Sequence, residues 1–495
     1  MSVQKKLKTL PKALLIFPNS LVYNVDALQK ANVNQIFVVE EPLYFGHHKL
    51  KPYNISKIKL AYMRASMKSY QDWLTLNGFK QVQYIDYDQI DDYKFCQPFN
   101  VTLYDPIDFD LETRLSKFFD YQKLESLLFL QSSSKITEYF QSKTKNKFLH
   151  AHFFNWMKKD LKILENVSST DKDNRKSLPK NHSFKFKNIN FKSNHHYEEA
   201  IEWVNNHPTF KTNIGSTDHL LLYPINDQDA KILLQDFIKS KFNNFGDYED
   251  AIDSKHAILF HGFISPALNS GILSPKFVLH QIMEMKGKVP MNSLEGFVRQ
   301  LIGWREYQRG IYISFYKEIM NSNYFNYTRK LNWDYWNGIK QSGIPILDNE
   351  IKKALSYGYS HHIVRLMVFL NIFVLLGIRL QDVVQWFSQT ICMDAYPWVM
   401  YSNIVSMGYY DTRFMQKPYV STSAYLLKMS NYPKGPWCEI WTSLFYRFLH
   451  LHKAKLIGGA SIYLRNLKHF ESKSEQDQKN IISMADRFIN KVTEL

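Results

Sequence analysis

Residues 12–130 alternate short apolar runs with segments of helical periodicity. Five apolar runs of strand length lie at residues 13–17, 35–39, 82–86, 101–104 and 126–130. Residues 57–76 between them have helical periodicity and end at Asn77-Gly78, a favourable C-cap pair. Strands that alternate with helices predict a doubly wound parallel sheet, whose ligands bind at the carboxyl ends of the strands. A GxGxxG motif is absent, so a dinucleotide-binding Rossmann site is not indicated.

The rest of the chain predicts a connector followed by helices. Residues 165–215 are polar and basic, and beyond them strand signals almost vanish while proline breaks separate helical segments. A chain of 495 residues is too long for one ordinary core. We therefore predict an α/β plus all-α protein, with a parallel-sheet domain at 1–135, a helical and basic connector at 136–215, and an all-helical domain at 216–495.

Charge and cysteine content restrict the partners and cofactors. The formal net charge of +16 favours a polyanion, nucleic acid first and an acidic membrane surface second. Lysine enrichment in an AT-rich coding sequence explains the same charge without any partner. Cys96, Cys392 and Cys438 are far apart and form no CxxC pair, which argues against a disulfide framework and against an iron–sulfur or four-thiolate metal site.

The sequence contains no segment that we interpret as a membrane span. Residues 363–380 are apolar, but Arg365, Asn371 and Arg379 interrupt them, so we expect a buried core helix. The basic N-terminus precedes an apolar run that is too short for a signal peptide. We expect a soluble intracellular monomer with no membrane partner.

Four segments carry residue types that suit a buried site for a flat, charged ligand. They are SPALN at 265–269, WREY at 304–307, the histidine pair at 361–362, and DAYPW at 394–398. A carboxylate among aromatics stays charged only if an arginine or a ligand N–H meets it, and tryptophan stacks on bases. Taken singly, each segment also has an ordinary interpretation as helix caps, a solvent-facing Arg–Glu pair, structural histidines or core aromatics. The i,i+4 histidine pair of HExxH zinc enzymes is absent.

The order of these segments resembles that of one protein family, the iron–sulfur bacterial cryptochromes and photolyases, or prokaryotic (6-4) photolyases, within the photolyase/cryptochrome superfamily. The matching segments are residues 265–269, 303–312, 361–367, 394–398, 417–419 and 428–430, with weaker ones at 40–41, 47–49 and 173–176. The resemblance implies an α/β antenna domain, a long connector and an all-helical domain that binds FAD.

The resemblance also implies roles for individual residues. Cofactor-binding residues would be His261, Ser265, Asn269, Arg305, Arg365, Asp394 and Met400. Residues that contact the DNA lesion would be Trp304, Tyr419 and Tyr425, and the catalytic residues would be His361, His362, Glu306 and Trp386. Trp386 would lie nearest the flavin in an electron-transfer chain, for which Trp398, Trp437 and Trp441 are further candidates.

Three departures from the family pattern affect the cofactors. The cluster cysteines are missing, and residues 431–438 (NYPKGPWC) stand where a cysteine-rich loop belongs, so we predict no iron–sulfur cluster and expect packing by Trp437 and its neighbouring prolines instead. Met400 replaces a polar residue that faces flavin N5, and a thioether is a poor hydrogen-bond partner. Asn19 stands in a turn that holds a lumazine in the family; it keeps hydrogen bonding but loses a charge, so a lumazine or another antenna chromophore stays open.

The resemblance implies a deoxyribodipyrimidine photolyase that splits UV-induced pyrimidine dimers in DNA by electron transfer from photoexcited reduced FAD. Because both His361 and His362 are present to protonate a lesion, the (6-4) photoproduct is favoured, with cyclobutane dimers as a close second. A blue-light signalling cryptochrome is the alternative, although residues 471–495 leave little room for a regulatory tail. A flavin-free nucleic-acid-binding protein is a third.

Overall fold

The structure is a computed structural model, which describes residues 10–90, 92–142, 147–180, 182–390, 394–456 and 461–495. Cys392 lies outside the described residues.

The N-terminal part is built around a parallel sheet. Its strands are β1 (Lys12–Ile16), β2 (Gln35–Val39), β3 (Val82–Ile85), β4 (Asn100–Tyr104) and β5 (Tyr121–Leu124). The strand order is β3-β2-β1-β4-β5, so the order reverses beside β1 as it does in a doubly wound sheet. Four of five residues are buried in each of β1, β2 and β4, because helices cover both faces. The predicted fold class is confirmed.

Helices surround this sheet and continue into the connector. They are α1 (Val25–Ala31), α2 (Pro42–Phe45), α3 (Lys57–Leu76), α4 (Phe109–Leu115), α5 (Ser133–Gln141), α6 (His150–Leu161) and α7 (His196–Asn206). Helix α3 has the bounds that the sequence predicts, and the Asn77 N–H closes its last turn by donating to carbonyls of that turn. Helix α7 packs along α3, so the second half of the connector lies against the sheet domain.

The fifth predicted strand is wrong. Residues 126–130 form turns, and the edge strand β5 lies a few residues earlier, with a half-exposed YQKL sequence. Leu128 and Phe129 are nevertheless buried, because they pack against the helical domain rather than in the sheet. An apolar run indicates that its residues are buried, but it does not indicate which part of the protein they pack against.

The chain after residue 220 is helical, apart from a two-stranded antiparallel ribbon of β6 (Lys330–Leu331) and β7 (Thr493–Glu494). Its helices are α8 (Asp227–Asp236), α9 (Phe242–Tyr248), α10 (Ser265–Ser270), α11 (Pro275–Met283), α12 (Met291–Val298), α13 (Arg305–Ile319), α14 (Trp333–Trp336), α15 (Pro345–Tyr357), α16 (His362–Val364), α17 (Asn371–Leu376), α18 (Leu380–Thr390), α19 (Pro397–Met407), α20 (Ser423–Met429), α21 (Trp437–Leu451), α22 (Lys453–Leu456), α23 (Ser461–Glu471) and α24 (Glu475–Val492). Among the described residues, no helix combines the length and the apolarity that a bilayer crossing requires.

In the described part of the chain, three π-helical segments interrupt the regular helices, at Phe237–Lys241, Arg299–Trp304 and Arg365–Leu370. Such bulges shift the helical phase by one residue and are frequent at functional sites. The second runs directly into α13, and the third directly follows α16. Gly310 lets α5 approach α13, since any Cβ there would collide with the Phe140 ring.

Candidate functional site

A cavity of about 1560 Å³ opens within the helical part of the chain. It is walled by α10, the start of α13, α16, α19 and the connector segment 165–171. Pockets for drug-sized ligands usually measure about 300–1,000 Å³, so this one has room for a large cofactor and a second ligand together.

The cavity gathers all but two of the site residues that the sequence predicts. Its lining includes His261, Ser265, Asn269, Trp304, Arg305, His361, His362, Arg365, Asp394, Met400, Tyr419 and Tyr425. These residues come from segments up to 164 positions apart (425 − 261). Glu306 and Trp386 are the exceptions.

Glu306 does not line the cavity, contrary to the expectation for a lesion-pocket residue. Its side chain is fully buried, with Oε2 paired 3.1 Å from an Arg309 guanidinium nitrogen and Oε1 accepting the Leu130 N–H at 2.7 Å. Helical geometry is the reason, because residue 306 points about 200° away from residue 304. Glu306 instead holds the loop after β5 against α13.

Gln308 takes the cavity-facing position that was assigned to Glu306. It lies one turn after Trp304, on the same face of the helix. Its Nε2 donates to Ser406 Oγ at 3.4 Å, and its buried Oε1 has no hydrogen-bond partner among the described residues. The i,i+4 spacing from Trp304 is a sequence signal that indicates Gln308.

Trp386 lies one aromatic layer behind the cavity wall. Its fully buried ring contacts that of Phe387, which does line the cavity, at a centroid distance of 5.2 Å. On the other side its Nε1 donates to the Trp336 carbonyl, and the two tryptophan rings are 5.9 Å apart. Within the described residues no ring contact joins Trp386 to Trp398, Trp437 or Trp441. Its role in electron transfer stays a prediction.

Arg365 and Asp394 form an ion pair in the cavity wall. Two guanidinium nitrogens lie 3.2 and 3.4 Å from the two carboxylate oxygens, in a fork-to-fork arrangement. Asn269 supports the pair by donating to the Asp394 carbonyl at 3.2 Å and accepting from Arg305 Nε at 3.0 Å. Burial lowers the pKa of Arg305 to about 10. The wall therefore presents a fixed set of charges to a bound ligand.

His261 and His361, two of the four histidines that line the cavity, are buried and neutral. His361 is the N-cap of α16, and its ring stacks on that of His261 with centroids 4.2 Å apart. His261 Nε2 donates to the Glu249 carbonyl at 3.0 Å. Burial, with the charge of His362, lowers the pKa of His261 to about 3 and that of His361 well below its ordinary value.

His362 differs in both exposure and charge. Its side chain is 42% exposed, and Nε2 lies 3.2 Å from Asp250 Oδ1. Burial alone would lower its pKa, but the hydrogen bond and charge of Asp250, followed by the charge of Glu249, outweigh burial and raise the pKa. His362 is therefore the cavity histidine most suited to carry a proton. Asp250 has no local sequence signal, since it lies 112 residues away.

The cavity mouth is lined by aromatic and basic side chains. Tyr419 and Tyr425 are half-buried there, and Trp304 is fixed by an Nε1 hydrogen bond to Asn403 at 2.9 Å. Lys159 and Lys417 also line it, together with connector residues 165–171. The sequence predicted the aromatic residues and a weak matching segment at 173–176, whose Arg175 lines the cavity, but it missed the contribution of residues 165–171.

Comparisons with known proteins agree with this geometry. A family model described as deoxyribodipyrimidine photo-lyase-related protein matches residues 14–221. Over 273 residues the chain is 32% identical to a (6-4) photolyase of Agrobacterium fabrum, an alignment that covers 52% of this chain and 53% of that protein. The N-terminal part of the chain is therefore similar to the photolyase-related family, and the alignment with the Agrobacterium protein is partial. The chain thus matches about half the length of that curated relative.

Solved photolyase structures share the fold of this chain. A class III photolyase from Agrobacterium tumefaciens superposes with a TM-score of 0.55 at 14% identity, covering 98% of each chain. An archaeal photolyase from Sulfolobus tokodaii, solved with two FAD molecules, gives a TM-score of 0.55 at 15% identity and covers 96% of this chain and 100% of its own.

The cavity of this photolyase-related chain fits a large, polar cofactor such as FAD. Buried polar atoms normally find partners, yet His261 Nδ1, His361 Nδ1 and Gln308 Oε1 have none among the described residues. All three residues line the cavity. A ligand rich in donors and acceptors would satisfy them, and the volume admits it.

The turn that contains Asn19, where the resemblance implies an antenna chromophore, is closely packed, although the buried Asn19 Oδ1 has no hydrogen-bond partner among the described residues. At the carboxyl edge of the sheet, Asn19 Nδ2 already donates to the Tyr44 hydroxyl at 3.0 Å and to the Pro106 carbonyl at 2.9 Å. Glu41 is fully buried between the Tyr93 hydroxyl and Arg114 Nε. The small cavity beside Tyr44 measures about 30 Å³, roughly the volume of one water.

Proposed function

We propose that the protein is an FAD-dependent photolyase that repairs UV-damaged DNA in light, with the (6-4) photoproduct as its preferred lesion. One observation carries the proposal: a single cavity holds the Arg365–Asp394 pair together with His261, His361 and His362, below a mouth of aromatic and basic residues. The relatives named as photolyases, one of them a (6-4) photolyase and another solved with FAD, support the same conclusion.

FAD, when bound, supplies the photoexcited electron donor. The chain's own residues bind and orient it, and Arg365, Asp394 and Asn269 are the groups we assign to this task, with His261 and Ser265 along the same wall. Buried Met400 and Phe387 help exclude water from the inner end of the cavity. A dry, pre-ordered wall strengthens every electrostatic contact made there.

The chain also holds a proton for the lesion. Asp250 holds His362 at Nε2, so in our proposal Nδ1 carries the proton that is transferred. His361 is buried and neutral, which suits a hydrogen-bonding role beside the cofactor rather than that of an acid. Splitting a cyclobutane dimer requires no acid, and therefore the acidic His362 favours the (6-4) lesion.

The mouth would receive a flipped lesion. Damaged nucleotides pair weakly, so they leave the duplex at a lower cost than intact ones. The rings of Trp304, Tyr419 and Tyr425 offer surfaces on which the bases stack, and Lys159 and Lys417 reach the flanking phosphates. The protein would act as a monomer, wherever the DNA is.

The test is light-dependent repair by the purified protein of two oligonucleotides, one with a defined (6-4) photoproduct and one with a cyclobutane dimer, each with a dark control. We expect repair of the (6-4) lesion in light only, and bound FAD at a ratio near one per chain. Repair of the cyclobutane dimer alone would show that the dimer, and not the (6-4) photoproduct, is the substrate. FAD binding without repair of either lesion would contradict the proposal.

We also propose that the protein works without an antenna chromophore at the carboxyl edge of the sheet, because Asn19 Nδ2 pairs with Tyr44, Glu41 pairs with Arg114, and the cavity beside Tyr44 measures only about 30 Å³. The repair action spectrum should then follow flavin absorption alone. Adding 6,7-dimethyl-8-ribityllumazine or FMN to the FAD-loaded protein should leave only FAD bound after gel filtration. A second chromophore bound at one per chain would overturn this part.

A further inference from the structure

A cluster of two histidines and an aspartate lies where the connector meets the sheet domain, outside the cavity. His195 is the N-cap of α7 and His196 is its first residue, while Asp72 lies near the end of α3. One ligand atom of each side chain lies within 4.8 Å of those of the other two. His196 Nε2 is 2.7 Å from Asp72 Oδ2, and the two imidazole rings are 4.0 Å apart.

Neighbouring contacts fix this arrangement. Asn194 accepts the His196 backbone N–H with its Oδ1 at 3.0 Å and donates from Nδ2 to Ser69 Oγ at 3.3 Å. Ser69 lies on α3 one turn before Asp72, so the first turn of α7 is held against the helix that carries the carboxylate. His196 is buried, whereas Asp72 is 55% exposed and free to adjust.

A simple ion pair leaves His195 unexplained. Its side chain has no hydrogen-bond partner among the described residues, and its ring packs against the ring of His196. The other end of α7 offers the comparison: His207 Nε2 lies 3.0 Å from Asp88 Oδ2 without a second imidazole in the group. The cluster thus has one donor more than an ion pair needs.

We propose that Asp72, His195 and His196 bind a divalent transition-metal ion, with Zn²⁺ as the reference ligand and water in the remaining position. Imidazole nitrogen and carboxylate oxygen suit Zn²⁺ at about 2.0–2.2 Å, and three protein ligands plus water is a common open site. Tetrahedral ligands at that distance lie roughly 3.3 Å apart, so Asp72 would withdraw from His196 by about 0.6 Å, and the His195 nitrogen, within 4.8 Å of both, would move in by up to about 1.5 Å.

The ion would tie the connector to the sheet domain. Asp72 belongs to α3 and both histidines belong to α7, so a bound metal links two segments 123 residues apart in sequence (195 − 72). A ligand that binds only the folded state raises its stability by mass action. The inference is independent of the repair activity, because none of the three residues lines the cavity.

Untagged, FAD-loaded protein stripped with EDTA tests the proposal. We expect calorimetry with Zn²⁺ to show one site per chain, and Co²⁺ to give the visible absorption of a low-coordinate site. His195→Ala, His196→Ala and Asp72→Asn should each weaken Zn²⁺ at least about 10-fold, the range seen when metal-site partners are lost. Each variant should also lose the rise in melting temperature that Zn²⁺ gives the wild type.

His207→Ala is the matched control and should bind Zn²⁺ as the wild type does. Melting of each variant without metal shows whether it has folded; His195 is exposed, so His195→Ala should melt like the wild type. Zn²⁺ binding that is unchanged in a folded His195→Ala/Asp72→Asn variant would overturn the proposal. So would binding that disappears only in His361→Ala, which would place the ion in the cavity.

Discussion

Asp250 sets the protonation state of His362, and this pairing decides how repair should depend on pH. The carboxylate raises the pKa of the imidazole, so the acid form persists to higher pH than an isolated histidine would allow. An acid that must be protonated loses activity as the pH rises through its pKa. Wild-type (6-4) repair should therefore fall on the alkaline side, at a pH above the ordinary histidine range.

Asp250→Asn should move this decline to lower pH by about one unit or more, because an opposite charge at this distance contributes about 1–3 pKa units. The rate–pH profile and an NMR titration of the His362 ring both report the shift, and FAD content should not change. Asp88→Asn, which alters the His207 pair instead, is the control. An unchanged profile in a folded Asp250→Asn protein would remove Asp250 as a positioning residue.

Glu306 should behave as a stability residue. It and Arg309 are both fully buried, and Arg309 also donates to the Gln131 carbonyl at 2.9 Å. Removing one partner of such a pair costs about 3–5 kcal/mol, since the other charge stays buried and uncompensated. Glu306→Ala should lower the melting temperature strongly while FAD content and repair per folded molecule stay near wild type.

Glu306→Gln/Arg309→Met provides the check on this mechanism, because it removes both charges at similar volume and should recover much of the lost stability. If Glu306→Ala folds normally and binds FAD but does not repair the lesion in light, Glu306 is a catalytic residue and this prediction is wrong.

At the scale of elements, ordinary packing and hydrogen bonds hold the segment between α20 and α21, where the resemblance places a cysteine-rich loop. Tyr432 donates to Glu350 Oε1 at 2.9 Å, and Lys353 pairs with the same oxygen at 2.8 Å, so this segment is tied to α15. Trp437 is buried, and its Nε1 donates to the Pro433 carbonyl at 3.0 Å. Cys438, in the first turn of α21, is also buried.

The purified protein should therefore contain no stoichiometric iron and lack the broad visible absorption of a cluster, also after anaerobic reconstitution with iron and sulfide. Trp437→Ala should destabilise the fold by about 3–5 kcal/mol, as expected for truncating a buried tryptophan. Tyr432→Phe keeps the ring and should cost less, about 1–3 kcal/mol for a buried acceptor that loses a partner. Iron at cluster stoichiometry would contradict the prediction.

Some secondary-structure elements could be predicted from the sequence and others could not. Helix α3 and the first four strands of the sheet domain could be predicted, because local periodicity and the cap at Asn77 specify them. The fifth run could not, because residues 126–130 are buried by a helix almost 180 residues later in the chain (305 − 126). Within the site, the motif residues were found and Asp250 was missed, since its effect on His362 exists only in three dimensions.

Over the whole molecule, the net charge of +16 raises the encounter rate with any polyanion, but only charges at the cavity mouth should contact phosphates of bound DNA. Affinity for a lesion-containing duplex should fall linearly on a log–log plot against salt, with a slope of about −0.9 per phosphate contact. Lys159→Ala and Lys417→Ala should each reduce the slope by about one contact and weaken damaged and undamaged DNA alike.

Lys30 is the control for this prediction, since it is exposed in the last turn of α1 and does not line the cavity. Lys30→Ala should leave the slope unchanged, because its charge is screened within about 10 Å at 0.1 M salt. Fluorescence anisotropy over a salt series measures all three variants. If Lys30→Ala reduces the slope as much as Lys159→Ala does, the positive charge of the whole surface attracts DNA without a specific docking face at the cavity. Lysine enrichment would then account for the net charge.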